Sequence, residues 1–349
     1  MKIADPEQQA ADALRQCLQD IPFLKIVQIQ PVQTNYRELE LLAQIKLSNK
    51  NCHLVVLFNN IGQPRQARQA ISQLLNHSET NSEIYPIFMA PYISPKVAEI
   101  CTLAGVGYID LAGNCRLSFA QVYIQKQGNP NPFPQKRDLR SLYSPKAERI
   151  LRVLLSTPHK GWKMQELASE AAVSLGQVHN VKKLLANREW LHAETEGIVL
   201  SSPTSLLAEW AENYDYRRHQ IHDFYSFKPI ADLEYLLAET CASAQLNYAF
   251  TGFSGAARLA PFVRYQRATA YVDNNLEKIT SSLQLKSVAS GANLSLLVPY
   301  DRGVFYKSQN IDNTKIVTPV QLYLDLKGYR GRGEEAAQTL LKEVWEPQW

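Results

Sequence analysis

Long apolar runs are missing from this chain: none approaches the roughly 18 residues that a membrane span needs, so no transmembrane helix is expected. The opening MKIADPEQQAADALRQCL is acidic, Gln-rich and amphipathic, without the basic start and apolar middle of a secretory signal, which points to the cytoplasm. Cysteine is scarce. Cys17, Cys52, Cys101, Cys115 and Cys241 form no CxxC pair and have no histidine at ligand spacing, which argues against a zinc site or a disulfide framework and for buried free thiols. With 15 Gly and 18 Pro among 349 residues, and 45% of the chain hydrophobic, collagen-like repeats and disorder are excluded. Neither charge sign dominates: 37 Lys+Arg against 33 Asp+Glu leave a formal +4, so any basic surface must be local. The length suggests two or three domains.

What is present alternates. Between Phe23 and Ile124, apolar runs at Glu40–Leu47, Leu54–Phe58, Ile84–Met89, Gly107–Leu111, Arg116–Phe119 and Val122–Ile124 are interleaved with helical patterns at Gln63–Leu75 and Ser94–Leu103. This predicts an α/β domain with a mixed sheet over residues 1–130. The segment GNPNPFP, residues 128–134, carries three prolines and ends that domain. A basic collar follows, with Lys136, Arg137, Arg140, Lys146, Arg149 and Arg152 against only Asp138 and Glu148.

Residues 131–203 comprise the collar, three helices and a hairpin. Ser144-Pro145 opens the first helix. The second spans Lys163–Ala172, and Ser174 followed by Gln177 makes a capping-box start for a third that runs to Asn187. Trp190-Leu191 and Ile198–Leu200 make a two-stranded wing. Small Ala168, the short turn Val173-Ser174 and a polar outer face are what a helix-turn-helix requires, because its second helix must offer amides and cations to double-stranded DNA. Gln177, His179 and Asn180 are the candidate base readers. Ser174, Lys182, Lys183, Arg137, Arg140, Lys146 and Arg149 are the candidate phosphate and backbone contacts.

Residues 204–349 predict a further α/β domain. A helix from Ser205 leads through the aromatic, basic segment Tyr216–Phe227 to a helix at Ala231–Cys241. A strand at Tyr248–Thr251, a helix after Gly255 and a strand at Ala268–Val272 come next. Further strands are expected at Leu294–Val298 and Gly303–Tyr306, with two closing helices, the first opened by Thr318-Pro319.

Catalytic chemistry is poorly supplied. A metal-dependent nuclease would need clustered acids and a lysine; Glu38 and Glu40 are candidates, but Leu57 and Asn59 stand where an acid and a lysine would be needed on the next strand. The TGFSG turn, Thr251–Gly255, followed by a strand ending at Asp273 suggests a nucleotidyltransferase. Such an enzyme uses two carboxylates one residue apart, and position 271 is Tyr. Asp110 reads as a strand-end turn residue. Arg65, Arg68, Arg258, Arg264 and Arg267 are candidates for phosphate or partner contacts, and RGRGEEA, Arg330–Ala336, for a helix-start anion site. No catalytic residue, metal or cofactor is assigned.

GQPRQA, APYISPKVAEIC, GVGYIDLAGNCRL, NPNPFPQKRDLRSLYSPKAERILRVLL, SLGQVHNVKKLL and VTPVQLYLDLKGYRGRGEEAAQTLL, spread from Gly62 onward, together resemble a bacterial family of transcriptional regulators grouped with the AbiE-type antitoxins of type IV toxin–antitoxin systems. The resemblance implies a restriction-endonuclease-like N-terminal domain, a winged helix-turn-helix over Ser144–Leu200 and a nucleotidyltransferase-like C-terminal domain. Leu57, Asn59 and Tyr271 depart from working versions of the two enzyme folds and imply that both are inactive. The implied function is repression of the protein's own operon and opposition to a separate nucleotidyltransferase-type toxin, an orphan regulator with another target being equally compatible; a two-fold operator would call for a homodimer. The alternatives are a nuclease or nucleotidyltransferase, and an interaction module that binds no DNA.

Overall fold

The computed structural model describes residues 6–32, 39–48, 50–79, 84–133, 136–195, 197–260, 264–273, 275–329 and 331–345. Glu38 lies outside them, as does Arg330, and the side chains of Lys136 and Arg137 are also outside the description. The chain divides into two compact units: residues 1–136 with 186–189, and residues 137–185 with 190–349.

The first unit runs α1 (Pro6–Leu18), β1 (Leu24–Val32), β2 (Leu39–Leu47), β3 (Lys50–Phe58), α2 (Pro64–Glu79), β4 (Ile84–Ala90), α3 (Pro95–Leu103), β5 (Gly107–Asp110), β6 (Cys115–Phe119) and β7 (Val122–Lys126). Its seven strands lie in sequence order; β3, β4 and β5 are parallel because α2 and α3 cross between them, and the remaining neighbours are antiparallel. The run LVVLF in β3 is apolar throughout because both faces are covered. Leu54, Val56 and Phe58 pack with Leu14 and Leu18 of α1, while Val55 and Leu57 pack with Ala67, Ile71 and Val97 of α2 and α3. The Ser94 cap is present, its hydroxyl accepting from the Val97 amide at 3.4 Å. β1 is an edge strand with few buried side chains, so it leaves little apolar signal in the sequence.

The second unit contains α4 (Lys136–Leu142), α5 (Pro145–Ser156), α6 (Met164–Glu170), α7 (Leu175–Asn187), the hairpin β8 (Leu191–Glu194) and β9 (Gly197–Leu200), and α8 (Pro203–Asn213). The final residues of α7, from Ala186, group with the first unit, as Lys136 does. Next come a 3₁₀ turn (Tyr216–Arg218), β10 (Gln220–Tyr225), α9 (Ile230–Ser243), β11 (Tyr248–Phe250), α10 (Gly252–Leu259), β12 (Ala268–Val272), α11 (Leu276–Leu283), β13 (Lys286–Ser287) and β14 (Leu294–Val298). A second 3₁₀ turn (Arg302–Phe305), β15 (Gln309–Ile311), β16 (Thr314–Ile316), α12 (Pro319–Gly328), α13 (Gly333–Leu340) and a closing π-helical turn (Leu341–Trp345) complete it. The large sheet has the order β13-β10-β14-β12-β11-β16-β15. One of its faces packs on α9 and α11; the other shares a single apolar cluster with α5, α7 and α8, in which Leu151, Leu154, Leu185 and Trp210 join Tyr271, Leu297 and Leu322. That continuous core is why residues 137–185 and 190–349 form one unit.

Two local expectations are corrected. Gly303–Tyr306 is a 3₁₀ turn rather than a strand, because the Asp301 carboxylate accepts from the Gly303 amide at 2.7 Å and closes the chain on itself. The stretch Tyr216–Phe227 is no mere connector: β10 lies second in the sheet, with Phe224 its buried residue and Gln220, Ile221 and Tyr225 exposed.

Candidate nucleic-acid interface

The three-helix unit starts from its caps. Proline at the first position of α5 loses no needed hydrogen bond; the Ser144 hydroxyl turns back to the Ser141 carbonyl at 3.0 Å. After α6, Ala172 takes a left-handed conformation and the Val173 amide closes on the Ala168 carbonyl, so the chain reverses in a short turn. Ser174 caps α7, its hydroxyl accepting from the Gln177 amide at 3.3 Å. Val178, Val181, Leu184 and Leu185 bury one face of α7. The other shows Leu175, Gly176, His179, Asn180 and Lys183, with Gln177 and Lys182 half-buried at its margins. The Asn180 amide donates to the Ser141 hydroxyl at 2.7 Å, which orients it.

The hairpin is tied to the helices by a bridge between Trp162 and Ile198. Gly197 is required there: its backbone is left-handed, and a Cβ would stand 2.3 Å from the Trp162 carbonyl oxygen. The strand-turn sequence LHAETEG contains no Lys or Arg, and His192 pairs with Glu194 at 2.7 Å. Positive charge therefore comes from the helices.

The collar is divided. Lys146 and Arg140 are exposed. Arg149 is committed internally: its guanidinium grips Asp301 through two nitrogens at 2.9 Å and reaches the Ala172 carbonyl at 3.3 Å, so the expected phosphate contact is replaced by a bond that fixes the α6–α7 turn to the large-sheet part of the unit. Arg152 is fully buried, 5.0 Å from the centre of the Trp210 ring. Its guanidinium donates to the Gln321 carbonyl oxygen at 2.5 Å and lies 3.7 Å from the buried carboxylate of Glu148, which also holds Tyr300 and Arg218.

That network continues into the interior. Asp325, fully buried, accepts from Tyr214 (2.7 Å), Tyr271 (2.9 Å), Thr251 (2.5 Å) and Gln321 (2.8 Å). Burial pushes its carboxyl up to about 6 despite these four donors. His219 Nε2 meets the Tyr214 hydroxyl at 2.8 Å and the Tyr271 hydroxyl at 3.1 Å. Burial, then the charges of Arg152 and Arg218, hold its imidazole down at about 3. No local motif signals this cluster, whose members come from positions 148 to 325.

The enzyme candidates are placed as follows. Tyr271 is a member of the network, and Asp273 pairs with Arg302 at 3.1 Å. The TGFSG turn is filled: Ser254 accepts from the Thr269 amide at 2.9 Å, while Gly252 and Gly255 lie against Tyr329 and Leu322. α10 begins at Gly252, inside the turn rather than after it. Glu40 is buried in β2, opposite Leu57 of β3. Asp110 holds the end of β5, accepting from the amides of Ile93 and Asn114 and from the Asn114 side chain. Among the described residues no three His, Cys, Asp or Glu side chains gather as metal ligands.

Of the remaining arginines, Arg258 is not available to a phosphate, since Glu234 takes it at 2.7 Å. Arg267 donates to the Ala292 carbonyl at 3.0 Å. Arg68 pairs with Glu189, a residue of the first unit. Arg65 and Arg264 are exposed. In the RGRGEEA stretch Arg332 pairs with Glu335 at 2.8 Å. No helix among the described residues is long and apolar enough to cross a membrane.

Comparison with curated proteins gives no match. A solved structure, "Structure of EndoMS in apo form", is 14% identical over 31% of this chain and 46% of its own, with a TM-score of 0.24, a likeness too slight to define a fold. The chain thus spans under half of that protein's length. Residues 199–345 match the family described as "Transcriptional regulator, AbiEi antitoxin, Type IV TA system". This stretch is shorter than the one from Gly62 that carries the resemblance, and it ends with the closing π-helical turn. Over residues 199–345, the chain is thus similar to the AbiEi-type antitoxin regulators.

Proposed function

We propose that this protein is a DNA-binding transcriptional regulator that represses its own operon, with residues 144–200 acting as a winged helix-turn-helix. The observation that carries the reading is the capped α7, whose exposed face offers His179, Asn180 and Lys183 beside Gln177 and Lys182. Inserted in a major groove, that face would bring amides and imidazole to base edges while Lys182, Lys183, Lys146 and Arg140 neutralise phosphates. The match of residues 199–345 to a family of regulators supports the same reading.

The first unit's order of helix, three strands, helix and strand suits a restriction-endonuclease-like fold without its catalytic set. The large sheet of the second unit suits a nucleotidyltransferase-like fold whose metal position is taken by Tyr271. Neither carries catalysis in this reading. A cytoplasmic homodimer on a two-fold operator, and an opposing nucleotidyltransferase-type toxin, complete the proposal.

The test is fluorescence anisotropy of the full chain with duplex DNA from upstream of its own gene and with a scrambled duplex, at several salt concentrations. Selective binding is expected. Lys182→Ala with Lys183→Ala should reduce the slope of log K against log salt by about 2, near 0.9 for each lost phosphate contact. Equal or absent binding to both duplexes overturns the proposal and favours a module that recognises protein.

A further inference from the structure

The five cysteines are not alike. Cys101 and Cys241 are sealed in apolar cores, and burial pushes each thiol up to about 12, which makes them inert. Cys52, on β3, is half-buried. Cys17, in the last turn of α1, and Cys115, the first residue of β6, instead line one cavity of about 570 Å³ in the first unit. Both belong to the same packed apolar cluster of that unit. Lys126, directly opposite Cys115 in the β6–β7 pair, lines the same cavity, as do Asp12 and Asp110.

This arrangement divides the work of a reactive dithiol. Hydrogen bonding from Cys17 lowers the Cys115 thiol; burial opposes this, the Lys126 charge assists it and Asp110 weakly resists it. The Cys17 thiol is raised well above its ordinary value by the same hydrogen bond and by burial. Of the two, Cys115 is therefore the more acidic thiol and Cys17 the one that keeps its proton.

We propose that Cys17 and Cys115 are an oxidation site, which a hydroperoxide converts to a disulfide clasping α1 to β6. The Cys115 thiolate attacks the peroxide, forming an S–O bond as the O–O bond breaks and releasing an alcohol, or water from hydrogen peroxide. The Cys17 sulfur then displaces water from the Cys115 sulfenic acid. The two sulfurs together give up two electrons; two thiols and one hydroperoxide become one disulfide, one alcohol and one water. The cavity admits the oxidant to side chains that the rest of the fold covers, and the site is independent of any DNA-binding role.

The experiment treats the reduced full-length protein with one to five equivalents of hydrogen peroxide, then counts thiols after denaturation and maps peptides without reduction. Two of the five thiols should disappear together, with a peptide pair joined through Cys17 and Cys115 and restored by dithiothreitol. Cys17→Ser should lose one thiol and retain a Cys115 sulfenic acid that dimedone traps. Five surviving thiols, prior oxidation of Cys52, or separate over-oxidation of Cys17 and Cys115 without a cross-link would each overturn the proposal. The cross-link in the unsubstituted protein decides the matter even if the serine variant does not fold.

Discussion

Replacing Asp325 with Asn should change the pH dependence of stability in a way that only a buried, titrating carboxyl can produce. In the folded chain this carboxyl holds its proton up to about pH 6, against an ordinary value of 3.8. At 1.4 kcal/mol per pH unit, the raised affinity is worth about 3 kcal/mol. The folded pKa lies above the unfolded one, so this contribution is complete below pH 3.8 and is lost as the pH rises through 6. Asparagine imitates the protonated form: its carbonyl oxygen can accept from Tyr214, Tyr271 and Gln321, and its amide can donate to the Thr251 hydroxyl. The variant should therefore be the more stable protein at pH 7.5, and its advantage should shrink by about 2 kcal/mol at pH 4.5, part-way through the window. Urea unfolding followed by tryptophan fluorescence suits the question, because Trp162, Trp190, Trp210, Trp345 and Trp349 all belong to the second unit and the first contributes no signal. A difference between the two proteins that stays flat within about 0.5 kcal/mol from pH 7.5 to 4.5 would refute the assignment, since one pH unit alone is worth about 1.4 kcal/mol.

Comparison of paired variants matters because His219 works in the opposite direction. Its folded pKa of about 3 lies below the ordinary 6.5, so it costs stability as pH falls from 6.5 toward 3; His219→Gln should lose about 2–3 kcal/mol less than the unsubstituted protein between pH 7.5 and 4.5, by the same urea assay. Arg258→Met should destabilise the second unit by about 3 kcal/mol, because it leaves the nearly inaccessible Glu234 carboxylate without its cation, with the Tyr265 hydroxyl still donating to it; an unchanged urea midpoint would contradict that pairing. Gly176 has open space around its Cβ position and an ordinary helical backbone, so the fold does not require glycine there. Gly176→Ala should gain up to about 1 kcal/mol of stability. If α7 enters the major groove, the same methyl group should weaken binding to the upstream duplex, and unchanged affinity would remove Gly176 from the contact surface.

Local chemistry made much of this protein legible from its residues. Ser94-Pro95, Ser174 with Gln177, and Thr318-Pro319 are caps whose hydrogen bonds close within one turn of the chain, and the helices begin where those residues stand. LVVLF reads as a doubly covered strand because its apolar run needs no knowledge of what covers it. The absent acids at positions 57 and 271 were likewise readable residue by residue. Other features depended on contacts that no local pattern encodes. Arg149 and Arg152 look like exposed collar charges in sequence, but they are held by Asp301 and Gln321, some 150 and 170 residues away. β10 was hidden because only part of it is buried, and the Asp325 cluster because its members meet only when α5, α8, β12 and α12 pack together. Capping and hydrophobic periodicity act over a few residues and survive in the sequence. Whether a side chain faces water or a partner is decided by long-range packing, so His179, Asn180 and Lys183 on the outer face of α7 were foreseeable, while the exposure of Leu175, which periodicity would bury, and the commitment of the neighbouring arginines belonged to the tertiary structure alone.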